Sequence, residues 1–188
     1  MNAQIDVTAI RLETPRLILR PWREEDLQDF YEYARVDGVG QMAGWIPHKN
    51  IEKSREILNA FIGHKKTLAL ELRDSGKTIG SIGIEEFKEE ECPEIPQSLY
   101  GRELGYVLSK AYWGQGLMPE AVRAAIDYCF QVLNYDFLTC GHFAWNNQSR
   151  RVIEKSGFQF LKDISYTTRM GTVEPTKLYI LYNSNKKR

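Results

Sequence analysis

The segment Ser109-Lys110-Ala111-Tyr112-Trp113-Gly114-Gln115-Gly116-Leu117-Met118-Pro119-Glu120-Ala121 constrains this chain more than any other. A strand-like apolar run, Leu104 to Leu108, leads into it, and a helix-like run, Glu120 to Leu133, leads out. Two glycines one residue apart sit between them. Glycine lets the backbone turn sharply and present its N–H groups to a ligand. The first turn of the following helix carries unpaired N–H groups and a partial positive charge. Such a loop is a phosphate cradle in prospect, and it predicts a nucleotide-like cofactor. Packing glycines are the plainer alternative.

Two familiar phosphate loops do not fit. A dinucleotide fingerprint needs a third glycine where Met118-Pro119 stand, and the G-x-x-x-x-G-K-[ST] loop is absent. At 188 residues one domain, 1–188, is expected, with 1–10 and 184–188 frayed. The 25 basic and 25 acidic residues balance, which argues against a nucleic-acid footprint. Cys92, Cys129 and Cys140 form no C-x-x-C pair and read as free thiols, the latter two in the core. His48, His64 and His142 are scattered, so no metal site is expected. Residues 1–6 lack the features of a secretory signal, and no apolar run nears the roughly 18 residues of a membrane span. A cytoplasmic protein that engages no membrane is the expectation.

Arg16 to Arg20 reads as a first strand stopped by Pro21, and Glu24, Glu25 and Asp26 suit a helix N-terminus. Leu27, Phe30, Tyr31 and Ala34 then share one helical face. Asn50 caps a second helix with Ile57, Leu58, Phe61 and Ile62 on its apolar side. Thr67 to Leu72 and Thr78 to Ile84 form a hairpin around Asp74-Ser75-Gly76. Glu85 to Pro96 reads as an exposed acidic loop. Strands follow at Glu103–Leu108, Phe137–Phe143, Phe158–Tyr166 and Lys177–Tyr182, with a short helix from Asn146 to Lys155 closed by Gly157. Lys186-Lys187-Arg188 reads as a frayed tail. A strand, loop, helix, strand succession implies a parallel pair, and the hairpins imply antiparallel neighbours. The fold class is mixed α/β or α+β.

Four segments in order resemble one family. Tyr112-Trp113-Gly114-Gln115-Gly116-x-x-x-Glu120-Ala121 is similar to the acetyl-CoA pyrophosphate loop of the GNAT acetyltransferases, in their RimJ/RimL-like branch. Thr14 to Trp22 resembles the opening strand of that branch, and Ile79 to Ile84 its third strand. Asn146 to Phe158 resembles its N-x-x-S…E-K-x-G-F segment. One position departs: where the wider family places Gln or Arg at the start of the loop, this chain has Ala111.

The resemblance implies a mixed, mostly antiparallel sheet of about seven strands. About four helices would flank it, and a parallel strand pair would splay at the cofactor site. It implies an acyl-CoA-dependent N-acyltransferase that uses acetyl-CoA and no metal. The acceptor would be a protein N-terminus, such as that of a ribosomal protein, or a small amine such as a polyamine, amino acid or antibiotic. A CoA-binding protein without turnover is the non-enzymatic alternative. A monomer or a homodimer is compatible.

Tyr106, Val107 and Leu108 would pair their backbone with the pantetheine arm, and an N–H near Val107 or Leu108 would polarise the thioester carbonyl. Backbone N–H groups from Gly114 through Gln115, Gly116 and Leu117 to Met118, beside Trp113, would hold the pyrophosphate. Asn146 would hydrogen-bond the cofactor, and Ser149 would hold or protonate the leaving thiolate. Asn146 and Ser149 also make good helix-capping chemistry. Glu103 would orient or deprotonate the amine, directly or through water. A buried-edge or surface carboxylate is its plainer reading, and Glu85 and Glu86 are weaker candidates for the same task. Trp45 would line the acceptor cleft or a dimer contact. The base has modest work if the acceptor is an α-amine. Roughly a tenth of α-amines are neutral at pH 7, against about 0.04% of lysines.

Overall fold

A computed structural model describes residues 1–186; Lys187 and Arg188, expected to fray, lie outside them. Eight strands form one open sheet: β1 (Leu12–Glu13), β2 (Leu17–Pro21), β3 (Thr67–Leu72), β4 (Thr78–Glu85), β5 (Gly101–Leu108), β6 (Phe137–Phe143), β7 (Gln159–Thr167) and β8 (Val173–Tyr182). Their order is β1-β2-β3-β4-β5-β6-β8-β7. Every neighbouring pair is antiparallel except β5 and β6. Four helices flank the sheet: α1 (Leu27–Ala34), α2 (Ile51–His64), α3 (Leu117–Asp127) and α4 (Asn147–Lys155). The expected count of about seven strands rises to eight because the two residues of β1 pair with β2.

Both faces of the sheet are covered. Side chains alternate along β3, so Leu68 and Leu70 join the core beneath α3 and α4, while Ala69 joins the cluster of Trp22, Phe30, Tyr33 and Leu58 beneath α1 and α2. The small residues Ala121 and Ala125 are fully buried and bring α3 close to the sheet. On α1, Tyr33 is buried where Tyr31 was expected. On α2, Ile62 is exposed, and the buried Ser54 instead sets its hydroxyl 2.7 Å from His48 Nδ1. The expected Asn50 cap is present, with its side chain accepting from Lys53 N–H.

Three expectations need correction. Asp26 does more than complement a helix dipole: it is buried in a bidentate pair with Arg20 at 2.7 and 2.8 Å. Burial works against its charge, but the hydrogen bonds from Arg20, Arg23 N–H and Thr78 hold its pKa below the ordinary value. The acidic loop is not simply solvated. Phe87, Cys92 and Ile95 are buried against Phe137, Leu178 and Ile180. Residues 1–10 are not frayed, because Ala3, Val7 and Ile10 are buried and Ala3 N–H donates to the Gly101 carbonyl at 3.0 Å. Likewise Lys186 is tied to Asp136 at 2.7 Å.

Candidate active site

The site begins where two strands part. β5 and β6 pair only through Gly101↔Phe137, Arg102↔Leu138 and Glu103↔Thr139. From Leu104 to Leu108, β5 keeps its pairing with β4 and has no strand partner on the other side among the described residues. The antiparallel hydrogen-bond alternation decides which backbone groups face that gap. Ser109 N–H donates to the Ile79 carbonyl at 2.7 Å, so Val107 and Gly105 aim their N–H and C=O groups at β4. Those of Leu104, Tyr106 and Leu108 face the opening. The Leu108 carbonyl is already taken by the Trp113 indole N–H at 2.8 Å.

The glycine loop closes one end of this opening. Gly114 and Gly116 have φ of +77° and +76°, a region that side chains resist. Nothing lies within 4 Å of a Cβ built on Gly114, so backbone conformation rather than crowding demands glycine there. α3 then starts with no side-chain cap, which leaves its first-turn N–H groups open to a ligand. The loop is braced from outside. Glu120 accepts from the Thr14 hydroxyl at 2.6 Å and from Arg16 N–H at 2.9 Å, and Arg16 Nη1 donates to the Gln115 carbonyl at 2.9 Å. Burial opposes the Glu120 charge, yet these donors hold its pKa below the usual range. The Gln115 side chain donates to the Ala111 carbonyl at 3.1 Å. A glutamine thus braces the loop across the position where the sequence departs from the family pattern.

α4 supplies the opposite wall. Asn146 caps it by accepting from Ser149 N–H at 3.0 Å, and its amide donates to the Met42 carbonyl at 3.2 Å. The Ser149 hydroxyl lies 2.8 Å from the Tyr106 hydroxyl. Burial pushes the Tyr106 pKa well above the ordinary phenol value, with Cys140 adding to the rise and the Ser149 hydrogen bond opposing it.

Two cavities meet at this hydroxyl pair, and Met42, Ala43, Tyr106, Val107 and Ser149 line both. The groove of about 390 Å³ is lined by Gly114, Gly116, Leu117, Arg151 and Lys155 among others, and by no carboxylate among the described residues. The chamber of about 430 Å³ lies on the other side and is lined by Glu85, Glu86, Glu91 and Glu103, with Lys88 and Arg169 as its cations.

A family model described as an acetyltransferase (GNAT) domain matches residues 16–159, more than half of the chain. The chain belongs to the GNAT acetyltransferase family. It is 27% identical over 176 residues to the uncharacterized N-acetyltransferase YoaA of Bacillus subtilis, covering 89% of this chain and 94% of that one. The fold matches a GNAT-family acetyltransferase from Bacillus anthracis with a TM-score of 0.80 at 19% identity, over 93% of this chain and 99% of that chain. It also matches a ribosomal-protein-S5-alanine acetyltransferase from Vibrio fischeri, with a TM-score of 0.71 at 20% identity over 95% and 100% of the two chains.

GNAT domains use acetyl-CoA, and the groove suits that molecule. It has an unpaired strand edge for an amide-bearing arm, left-handed glycines and an open helix N-terminus for a diphosphate, and no carboxylate to repel one. The expected residues Tyr106, Val107, Leu108, Trp113, Gly114, Gly116, Leu117, Met118, Asn146 and Ser149 all line it. Two details change. Val107 spends its N–H on β4, so the donors facing the gap are those of Tyr106 and Leu108. Gln115 does not line the groove, because its side chain folds back on the loop.

Glu103 reaches the chamber from the last paired position of β5, next to the point where the strands part. Burial and the neighbouring Glu85 raise its pKa to about 7, against the pull of Lys88. It has no hydrogen-bond or ion-pair partner among the described residues. Glu85, directly opposite, is instead bound to Lys66 at 2.6 Å, and the exposed Glu86 lies 3.6 Å from Arg102. Trp45 lines the chamber. Sequence reading missed the Tyr106 hydroxyl, whose partner lies 43 residues away. It also missed Arg151 and Lys155, although their spacing of four from each other is a helical signal.

Proposed function

We propose that this GNAT enzyme transfers the acetyl group of acetyl-CoA to a primary amine, with a peptide or protein N-terminal α-amine as the preferred acceptor. The observation that carries this reading is the solitary Glu103, with a pKa of about 7, in the wall of the chamber three residues before Tyr106, where chamber and groove meet. Proton transfer from an α-ammonium, at about 8, to such a carboxylate is uphill by roughly 1.4 kcal/mol. From a lysine ammonium, at about 10.4, it is uphill by roughly 4.6 kcal/mol. The likeness of four segments to the RimJ/RimL-like branch supports the same acceptor class.

Acetyl-CoA supplies an activated acyl group and a thiolate leaving group. Glu103 takes the proton that makes the acceptor a nucleophile. The gap-facing N–H groups of Tyr106 and Leu108 are the donors that would meet charge developing on the acyl oxygen. The Tyr106 hydroxyl is far less acidic than a thiol at about 8.5. The Tyr106–Ser149 pair therefore steadies the thiolate by hydrogen bonding rather than by losing a proton. Asn146 positions Ser149 through the helix cap. Chamber and groove meeting at one point supply the proximity of the two reactants.

The test is thiol release from acetyl-CoA with a panel of peptides carrying free or blocked N-termini, alongside polyamines and amino acids, with products located by mass spectrometry. Acetylation of free N-termini is the expected result. Product confined to lysine side chains or small amines would overturn the acceptor, and no thiol release with any amine would overturn the transferase assignment.

A further inference from the structure

A row of side chains crosses the chamber face of the sheet. Register places Glu85 beside Glu103, Glu103 beside Thr139 and Thr139 beside Ile180. Register partners on neighbouring strands leave the sheet on the same face, about 5 Å apart. Glu103 therefore has a carboxylate on one side and a hydroxyl on the other. The neighbouring carboxylate is well served. Lys66 lies 2.6 Å from Glu85, and the Thr67 hydroxyl on β3 donates to it at 3.3 Å. Glu103 has no such partner among the described residues. Thr139 lacks one too: it is fully buried, and its hydroxyl has no hydrogen-bond partner. A buried hydroxyl left unpaired is costly and uncommon. An unpaired donor and an unpaired acceptor thus sit side by side at the last register pair before β5 and β6 part.

Resting on the reading of Glu103 as the base, we propose that the Thr139 hydroxyl donates to the Glu103 carboxylate and is the positioning residue that holds that base. Rotation about one side-chain bond, between staggered positions, turns the threonine hydroxyl toward its neighbour. A hydroxyl accepts from the protonated acid and donates to the carboxylate, so the contact survives each proton transfer. The surroundings offer no better donor. Glu85 on β4, Lys88, Glu91 and Cys92 from the segment after β4, and Cys140 on β6 are the titratable groups that act on Glu103 or feel it. Lys88 is spent on Glu91 at 2.6 Å. Burial pushes both thiols up and keeps them neutral, and a thiol is a weak donor. The remaining charges of the chamber, Glu86 and Arg169, are exposed and screened by solvent. Burial and Glu85 disfavour the charged form of Glu103, and a hydroxyl donor on the β6 side opposes them.

The test is a pH titration of the Glu103 side-chain carboxyl by carbon-detected NMR on the full chain, its signal assigned by its loss in Glu103→Gln. Wild type, Thr139→Val, Thr139→Ala and Thr139→Ser are compared, with the pH profile of kcat/KM recorded alongside. Thr139→Val and Thr139→Ala each remove a donor that favours the charged form, so the midpoint should rise by about one unit in both. Thr139→Ser keeps the hydroxyl and should titrate as wild type. The kcat/KM profile should move with the midpoint, an approximately tenfold loss on its acid side with little change at high pH. An unchanged midpoint in the two hydroxyl-free variants overturns the proposal. So does an equal shift in Thr139→Ser, which would assign the effect to packing. A shifted midpoint with an unmoved kcat/KM profile leaves the contact standing but overturns Glu103 as the base, and with it the positioning role of Thr139.

Discussion

The chamber and the groove share a wall of five residues and carry opposite charge. Four carboxylates against two cations line the chamber, while two cations and no carboxylate line the groove. The Tyr106–Ser149 pair stands between them. On the proposed reaction, a cationic acceptor and an anionic donor would be drawn to different sides of one junction by the local field. The two sides also use their polar groups differently. The groove offers backbone N–H groups whose geometry is set by glycine φ angles, a helix start and the Glu120 brace. The chamber offers a side chain whose chemistry is set by burial. Rigid donors suit a ligand that is the same in every cycle, and a carboxylate of raised pKa suits a proton that must move.

The largest effect should come from the chamber. Glu103→Gln should lower kcat by about 10²- to 10⁴-fold with the affinity for acetyl-CoA unchanged, measured by steady-state turnover and calorimetry. In wild type, kcat/KM should rise as pH increases through about 7, where Glu103 loses its proton. The stability sign runs the other way. A carboxyl raised to about 7 in the folded chain loses stability as pH climbs from its unfolded value toward 7, and then stays level. Glu103→Gln should therefore raise the Tm more at pH 8 than at pH 5. An unchanged Tm difference between those pH values would show that the carboxyl is not desolvated.

At the shared wall, Tyr106→Phe and Ser149→Ala should each reduce kcat by about tenfold and leave donor affinity nearly intact, since one hydrogen bond to charge is lost. The double variant should cost little more than either single one, because the two hydroxyls act as a unit. Fully additive losses would mean that they act separately. On the groove side, Gly116→Ala should destabilise the chain by about 1 kcal/mol, because its φ is +76°. It should also weaken acetyl-CoA binding without moving the pH profile. A shift of that profile would break the division of labour between the two cavities. The smallest effect should be that of salt: raising it should weaken donor binding severalfold while the pH dependence of Glu103 stays in place.

Much of this was legible beforehand where the signal was local. The hairpin around Gly76, the Asn50 and Asn146 caps, the Phe137–Phe143 strand and the left-handed glycines each depend on residues a few positions apart. The failures share a cause. The acidic loop looked solvated because Phe87, Cys92 and Ile95 are diluted among charges, and only the distant Phe137, Leu178 and Ile180 supply their core. The N-terminal segment looked loose because its partners are Gly101 and Lys65. Val107 looked like a donor to the ligand until the register with Ser81 turned its N–H toward β4.

The chain by itself determined the order and type of most elements and the glycine loop before a helix. Those features follow from backbone sterics, turn chemistry and periodicity, which act over a turn or a strand. Tertiary structure decided that β5 and β6 part after Glu103, that Tyr106 meets Ser149, and that Glu103 is half-buried without a partner among the described residues while Glu85 is paired with Lys66. It also separated acidic and basic residues into two cavities. Desolvation, pairing and field depend on which distant residues are packed together, and no local pattern carries that information.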